Sequence, residues 1–236
     1  EQTRAAELAE ESIALWRKLD NPSGLAMALL HRGWAAHAHG EYHLAKRVYL
    51  EGIQHVSQTR DIWLQAQLLF HLAAAEGFIS DFKQMRTYYT QSRELFEEVG
   101  DNIAMADLLK DQGGLTILEG NYPEAIGCLV KSIMMCYKLG HKQFIATGLG
   151  SLSFAVGLRG EPEPSLASLR SAQLGGAAES LMEEIGLTPW TRTNQLVQLA
   201  QQYIRSRVEE EKWNEAWAKG RALTIEQAIE LACRLA

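Results

Sequence analysis

The stretch Leu118-Glu119-Gly120-Asn121-Tyr122-Pro123-Glu124-Ala125-Ile126 decides the fold, because it has the residues of a tight turn between two helices. Glycine takes the left-handed conformation that ends a helix at little cost, and proline fits the first helical turn, where its missing N–H is not needed. The same pattern stands earlier in the chain at Gly40-Glu41-Tyr42 and later at Gly160-Glu161-Pro162. Ser80-Asp81-Phe82 occupies the remaining position of the series. Four turns at one even spacing predict a helical repeat.

Residues of matching size recur at the same spacing elsewhere in the chain. In the first helix of each predicted pair, three columns hold an alanine, a leucine and a small residue: Ala26, Ala66, Ala106 and Ala146; Leu29, Leu69, Leu109 and Leu149; Gly33, Ala73, Gly113 and Ser153. In the second helix a bulky column accompanies a small one: Tyr49, Tyr89, Leu129 and Leu169; Gly52, Ser92, Ser132 and Ala172. Interlocking helices need large and small residues at such fixed offsets, so the columns support the repeat.

Apolar residues at i, i+3 and i+4 predict four pairs of helices over residues 22–186. The first helices are expected at 24–39, 63–79, 103–119 and 143–159, and the second helices at 42–59, 82–99, 122–139 and 163–186. Residues 3–19 match the second-helix columns, so residues 1–21 read as half a repeat. Because this half lacks its partner helix and the sequence opens on Glu1, we expect a fragment of a larger protein.

Residues 187–236 are predicted to form a helical cap, because the terminal face of a stack of repeats has to be covered. Residues 190–208 have the pattern of an amphipathic helix, and Gly220 is expected to end the helix that follows. Thr224, with Gln227 three positions later, predicts a capping box at the start of a last helix.

These residues resemble the tetratricopeptide (TPR) repeat, whose small residue, turn and alanine are matched by Gly33, Gly40, Tyr42 and Ala45. The spacing of 40 between Gly40, Ser80, Gly120 and Gly160 departs from the family's period of about 34. The segments 174–181 (LGGAAESL) and 213–228 (WNEAWAKGRALTIEQA) resemble the end of the TPR-like sensor region in bacterial STAND-type NTPases and LuxR-type regulators.

That resemblance implies an all-α, right-handed superhelical solenoid of antiparallel helix pairs with a C-terminal helical cap. It also implies a non-catalytic interaction or sensor module, belonging to a larger signalling or transcriptional regulator, that binds a protein or peptide in its concave groove. We expect any NTPase or DNA-binding domain to lie outside these residues.

Composition narrows the possible functions. The formal net charge of −6 at pH 7 gives no basic footprint for nucleic acid. Three cysteines, Cys128, Cys136 and Cys233, are an odd number that favours reduced thiols and a cytoplasmic location. No apolar run reaches the roughly 20 residues of a membrane span, and no signal peptide is visible.

Catalytic, cofactor and metal patterns are missing from the sequence. It has no phosphate-binding loop, no His-Glu-x-x-His, no Cys-x-x-Cys and no Gly-x-Ser-x-Gly, so we expect neither an enzyme nor a cofactor. His31 and His71 share one column, continued by Asp111 and Ser151. Neighbouring helices lie about 8–10 Å apart, whereas zinc needs its ligands within roughly 2 Å, so this column does not predict a metal site.

The groove implied by the resemblance is lined by the first helix of each pair. Its candidate ligand-binding residues are Leu30, Trp34, His37, Phe70, Phe78, Asp107, Lys110 and Phe154. Aromatic anchors with a few polar groups suit a binding surface. The rings of Trp34 and Phe70 could equally pack between helices, and Phe154 even more readily against the cap.

Two alternative functions remain open from the sequence. The groove could close on a small-molecule effector, as in sugar-responsive activators related by the same resemblance. The chain could instead be a self-association scaffold, since the exposed half repeat at residues 3–19 offers an apolar flank to a second copy and so a homodimer.

Overall fold

A computed structural model describes residues 2–159, 163–188 and 195–235. In these ranges the regular structure is entirely helical. The helices are α1 Gln2–Lys18, α2 Pro22–Ala38, α3 Tyr42–Val56, α4 Ile62–Phe78, α5 Phe82–Val99, α6 Asn102–Leu118, α7 Tyr122–Lys138, α8 Lys142–Arg159, α9 Pro164–Glu184, α10 Gln195–Arg205, α11 Glu210–Arg221 and α12 Ile225–Cys233. The chain forms two compact units, Glu1–Leu108 and Leu109–Ala236.

The helices from α1 to α8 begin at an even spacing along the chain. Equivalent residues of successive helix pairs are therefore always separated by the same number of positions. Their bounds lie close to those predicted, and the all-helical class is confirmed. The largest difference is at α3, which ends at Val56 rather than at position 59. The hydroxyls of Ser57 and Thr59 donate to the carbonyls of Gln54 and Val56, and such local bonds compete with further helix.

The predicted glycine turns have the expected conformation. Gly40, Gly100, Gly120 and Gly140 have φ of 75°, 71°, 83° and 69°, the left-handed region that glycine tolerates best. Ser80 takes the same conformation, with φ of 68°. The turn predicted at 160–162 lies outside the described residues.

The first unit packs around buried rings and leucines. Tyr49 is fully buried against Gly33, where an added Cβ would lie 2.1 Å from the ring. The buried Ser92 donates its hydroxyl to the carbonyl of Ala66 at 2.8 Å, which satisfies a polar group inside the core. The small columns of the sequence are therefore the points where neighbouring helices meet.

In the second unit α11 lies against α9 at glycine contacts. A Cβ on Gly220 would stand 2.0 Å from the carbonyl oxygen of Gln173, and one on Gly176 would stand 2.3 Å from that of Trp217. The prediction that Gly220 ends a helix is corrected, because it lies buried within the last turn of α11 and serves close backbone approach.

The cap predicted beyond residue 187 is helical in its described part. The capping box of Thr224 and Gln227 is confirmed at the start of α12. The amphipathic helix predicted at 190–208 is described from residue 195 as α10, and its start at 190–194 lies outside the described ranges.

Candidate functional site

Six aromatic and imidazole side chains of the first unit form two groups of rings on α2, the start of α3, and α4, which we call together the aromatic strip. Its members are His31, Trp34, His37, Tyr42, His71 and Phe78. α2 and α4 contact one another. α2, α3 and α4 each also carry buried core residues of the first unit.

Trp34 stands between two imidazoles. Its ring centroid is 5.1 Å from that of His31 on the same helix and 5.1 Å from that of His71 on α4. The ring planes meet at 68° and 77°, an edge-to-face arrangement that aromatic rings favour. Trp34 nevertheless remains 42% exposed, so a large apolar ring is held in place with one face open.

A second group forms at the ends of α2 and α4. Tyr42 and Phe78 stack in parallel, with centroids 4.6 Å apart and planes 7° from parallel. His37 meets both edge-on, at 5.1 Å and 5.2 Å. Phe78 is 44% exposed, so this end of the strip also presents a fixed ring to solvent.

The imidazoles of His37 and His71 are uncharged at neutral pH. Burial, with a smaller contribution from nearby His37, lowers the pKa of His71 to about 3. Burial also lowers the pKa of His37. His71 is enclosed by Phe70 at 4.6 Å and Tyr49 at 6.0 Å as well as by Trp34. At these two positions the strip therefore offers ring faces and edges rather than positive charge.

One charged group is buried in the same unit. Glu76 on α4 is almost fully buried and pairs with the Lys46 ammonium at 2.8 Å and 3.1 Å. The hydrogen bond that Lys46 donates to Glu76 raises the pKa of Lys46, whereas burial acts to lower it. Removing Lys46 would leave a buried, unpaired carboxylate, so the pair links α3 to α4.

Three of the eight predicted site residues are on the strip, namely Trp34, His37 and Phe78. Leu30 and Phe70 are buried core of the same unit, and Phe154 is buried in the second unit among Ala172, Ile204 and Trp213. Their burial corrects their placement in an open groove.

The predicted polar pair is not part of the strip. Asp107 lies on α6 in the first unit. Lys110 belongs to the second unit, where its ammonium lies 3.2 Å from Asp111 and 4.9 Å from the centre of the Phe144 ring.

The strip also contains three residues that the sequence did not predict as site residues, namely Tyr42, His31 and His71. The shared column of the two histidines was the available signal, and it was assessed only as a possible metal site.

The described ranges hold no cluster of three or more His, Cys, Asp or Glu side chains that could bind a metal ion. Within the same ranges, no helix has the length and apolar character needed to cross a membrane.

No protein-family model matches the chain, and no curated protein does. Among solved structures it is similar to the "Crystal structure of BtubC (BKLC) from P. vanneervenii". The TM-score is 0.67 at 13% identity, over 99% of this chain and 90% of that one. At this identity the likeness shows a shared helical fold and nothing about activity.

Proposed function

We propose that the chain is a non-catalytic, TPR-like interaction module that binds a protein or peptide on the aromatic strip. The observation that carries the proposal is the pair of large rings, Trp34 and Phe78, which are exposed yet held by neighbouring rings. Aromatic side chains of this kind dominate the binding energy of protein interfaces.

Fixing the rings before binding lowers the cost of association. A side chain that is immobilised only in the complex loses about 0.5–1.5 kcal/mol of rotamer freedom. Trp34 is already fixed between His31 and His71, and Phe78 is already stacked on Tyr42. Their contacts can therefore contribute to affinity with little further ordering.

The chemistry of the strip selects the kind of ligand. Its inner imidazoles, His37 and His71, are uncharged at neutral pH because burial lowers the pKa of both. Neutral rings suit the apolar and aromatic side chains of a peptide better than an acidic group.

The larger setting is part of the proposal. The even spacing at which the helix pairs begin supports a solenoid of TPR-like repeats, and the resemblance to that family implies its right-handed superhelix. The segments 174–181 and 213–228 support the sensor region of a larger bacterial cytoplasmic regulator of the STAND or LuxR type, because they resemble the end of that region.

The test is a peptide selection on the full chain. Peptides from a random displayed library are selected on the immobilised protein, and their dissociation constants are measured by fluorescence anisotropy. The double variant Trp34→Ala/Phe78→Ala is expected to weaken binding by about a hundredfold or more, since residues that dominate an interface contribute about 2 kcal/mol or more each.

The matched control is Trp63→Ala. Trp63 is an exposed tryptophan of the same unit, but its indole donates to Asp101 and it is not a member of the strip. This variant should keep the affinity, and circular dichroism should show full helicity in both proteins. Equal binding by the double variant, equal loss with Trp63→Ala, or no peptide binding at millimolar concentration would each contradict the proposal.

A further inference from the structure

The amphipathic helix α10 covers a group of apolar side chains in the second unit. It packs on α8 and α9, and its buried Ile204 shares a core cluster with Phe154 of α8. Ile117 and Leu158 pack against the same cluster and are partly buried by it. The second unit thus shows which kind of element these side chains accept, namely a helix with one apolar face.

The same positions of the repeat are open in the first unit. In steps of 40 residues, Trp34 corresponds to Phe154, His37 to Ile117 and Phe78 to Leu158. Phe154 is buried, whereas Trp34 and Phe78 are 42% and 44% exposed. Phe78 lies on α4, a helix with α2 packed beside it, so this open position is not that of the first helix in the stack. Three members of the aromatic strip therefore stand where the second unit receives α10.

α10 meets the second unit through one face. Val197, Ala200 and Ile204 all pack in the cluster, and their positions i, i+3 and i+7 lie on one side of a helix. Leu199 and Tyr203, on another side, stay exposed. A helix that takes the corresponding place on the strip needs apolar residues at the same three positions.

A glycine lies where α10 approaches α8. A Cβ on Gly157 would stand 2.7 Å from two carbon atoms of Ile204, so a larger residue would hold the helix away. The corresponding residue of α4 is Gly77, next to Phe78 of the strip. Both helices therefore have no side chain at this point of approach.

An arginine completes the contact of α10. Arg207 donates to the carbonyl oxygen of Gly157 at 2.9 Å, in the last turn of α8. A cation is favoured there because the aligned peptide dipoles make the C-terminal end of a helix negative. Gly77 lies in the last turn of α4, which has no basic residue of its own. A ligand with an arginine three residues after its last apolar contact would supply that charge.

A second copy of this chain keeps its α10 in use. The side chain of Ile204 is buried in its own unit, and its carbonyl accepts a hydrogen bond from the buried Ser168 hydroxyl at 2.8 Å. Offering α10 to another copy would expose this face and break the bond, so a helix from a partner protein is the better occupant.

We propose that the aromatic strip binds an amphipathic α-helix of a partner protein, with apolar residues at i, i+3 and i+7 and an arginine at i+10, which packs on α2 and α4 as α10 packs in the second unit. This inference rests on the proposed function, because it names the kind of ligand that the same strip takes.

The probe is a fluorescein-labelled synthetic peptide with the sequence of residues 195–208. Fluorescence anisotropy with the full chain measures its dissociation constant, which should lie below about 1 mM. A second peptide carries Gln201→Pro, which keeps all three apolar contact residues and the arginine. It should bind at least tenfold more weakly, because proline breaks a helix and leaves an extended peptide intact.

Two matched pairs of peptide variants test the contact face. Ile204→Ala should weaken binding at least tenfold, whereas Leu199→Ala, on the exposed side, should leave it unchanged. Arg207→Gln should weaken binding about two- to fivefold through the lost cation. Arg205→Gln removes the same charge from a residue that pairs with Glu210 rather than with α8, so it should have no effect.

The protein variants locate the peptide. Trp34→Ala/Phe78→Ala should weaken it at least tenfold, and Trp63→Ala should not, with circular dichroism confirming that both proteins are folded. Binding that persists in the double variant would place the peptide elsewhere, for instance on the second unit in exchange for α10, and would overturn the proposal. A dimer by light scattering that the peptide dissociates would assign the strip to α10 of a second copy instead.

Other results separate a failure of this inference from a failure of the proposed function. Equal binding of the Gln201→Pro peptide, or no binding of the parent peptide at millimolar concentration, would overturn the helical ligand. If library peptides still depend on Trp34 and Phe78 in that case, the strip binds an extended ligand and the proposed function stands. If neither set of peptides binds through these two rings, both proposals fail.

Discussion

At the scale of single residues, the imidazole of His71 lies among aromatic rings instead of in water. Its imidazole is enclosed by Trp34, Phe70 and Tyr49, so the charged form would lose its hydration without gaining a partner carboxylate. Burial therefore lowers its pKa to about 3. The same enclosure that holds Trp34 in place makes this part of the fold sensitive to acid.

We expect the free energy of unfolding to fall between pH 7 and pH 5. The unfolded chain binds a proton on His71 near pH 6.5, whereas the folded chain does so only near pH 3. The folded pKa is the lower one, so stability is full above pH 6.5 and falls by about 1.4 kcal/mol per pH unit below it. Urea unfolding should show about 2 kcal/mol less stability at pH 5 from this residue.

His71→Gln separates this contribution from the others. His37, whose pKa burial also lowers, is present in both proteins, so the difference between their pH curves belongs to His71. The variant should lose about 2 kcal/mol less than the wild type between pH 7 and pH 5. Identical pH curves would show that His71 is already protonated in the folded protein at pH 5.

At the scale of helices, the small-residue columns fix how closely neighbours approach, and α6 contains a direct test. A Cβ on Gly113 would stand 2.7 Å from Cγ of Leu129 and 3.2 Å from the carbonyl of Ala125, whereas one on the adjacent Gly114 would meet nothing within 4 Å. Gly113→Ala should lower the free energy of unfolding by about 1–3 kcal/mol through overpacking. Gly114→Ala should raise it by about 1 kcal/mol, because alanine is the better helix former.

Urea denaturation measures both variants under one set of conditions. The two residues share a helix, so differences in helix propensity cancel and only the contacts with Leu129 and Ala125 separate them. If both substitutions change stability in the same direction, close packing at Gly113 does not control the position of α6 against α7.

The sequence predicted helices and turns better than it predicted exposure. The repeat places Trp34, Ala74, Gly114 and Phe154 in one column, yet Trp34 is exposed and Phe154 is buried under Ile204 and Trp213. A column records only where a residue lies within the repeat. Burial also depends on the elements packed against that residue, which for Phe154 are α10 and α11. Gly220 was misinterpreted for a related reason, since a glycine that ends a helix and one that admits a neighbouring backbone look alike in sequence.

At the scale of the whole molecule, the chain departs from the repeat after α9, and the helices that follow bury apolar residues of α8 and α9 in the second unit. Trp213 is buried with Phe154 and Ile204, and it stacks on Trp217 at 6.0 Å. Trp217 donates to Glu179 of α9 at 3.0 Å, and Arg221 pairs with Glu183 at 2.7 Å. Polar bonds at the rim thus align a contact whose energy comes from the buried rings.

Trp213→Ala should therefore destabilise the protein far more than loss of the rim bonds. Removing a buried tryptophan typically costs about 3–5 kcal/mol, whereas exposed ion pairs such as Arg221–Glu183 contribute about 0–1 kcal/mol. Urea unfolding followed by circular dichroism should show this ranking across Trp213→Ala, Arg221→Ala and the control Leu199→Ala, an exposed residue of α10. If Arg221→Ala costs as much as Trp213→Ala, polar bonding rather than ring burial holds the cap, and the departure from the repeat has a different physical basis.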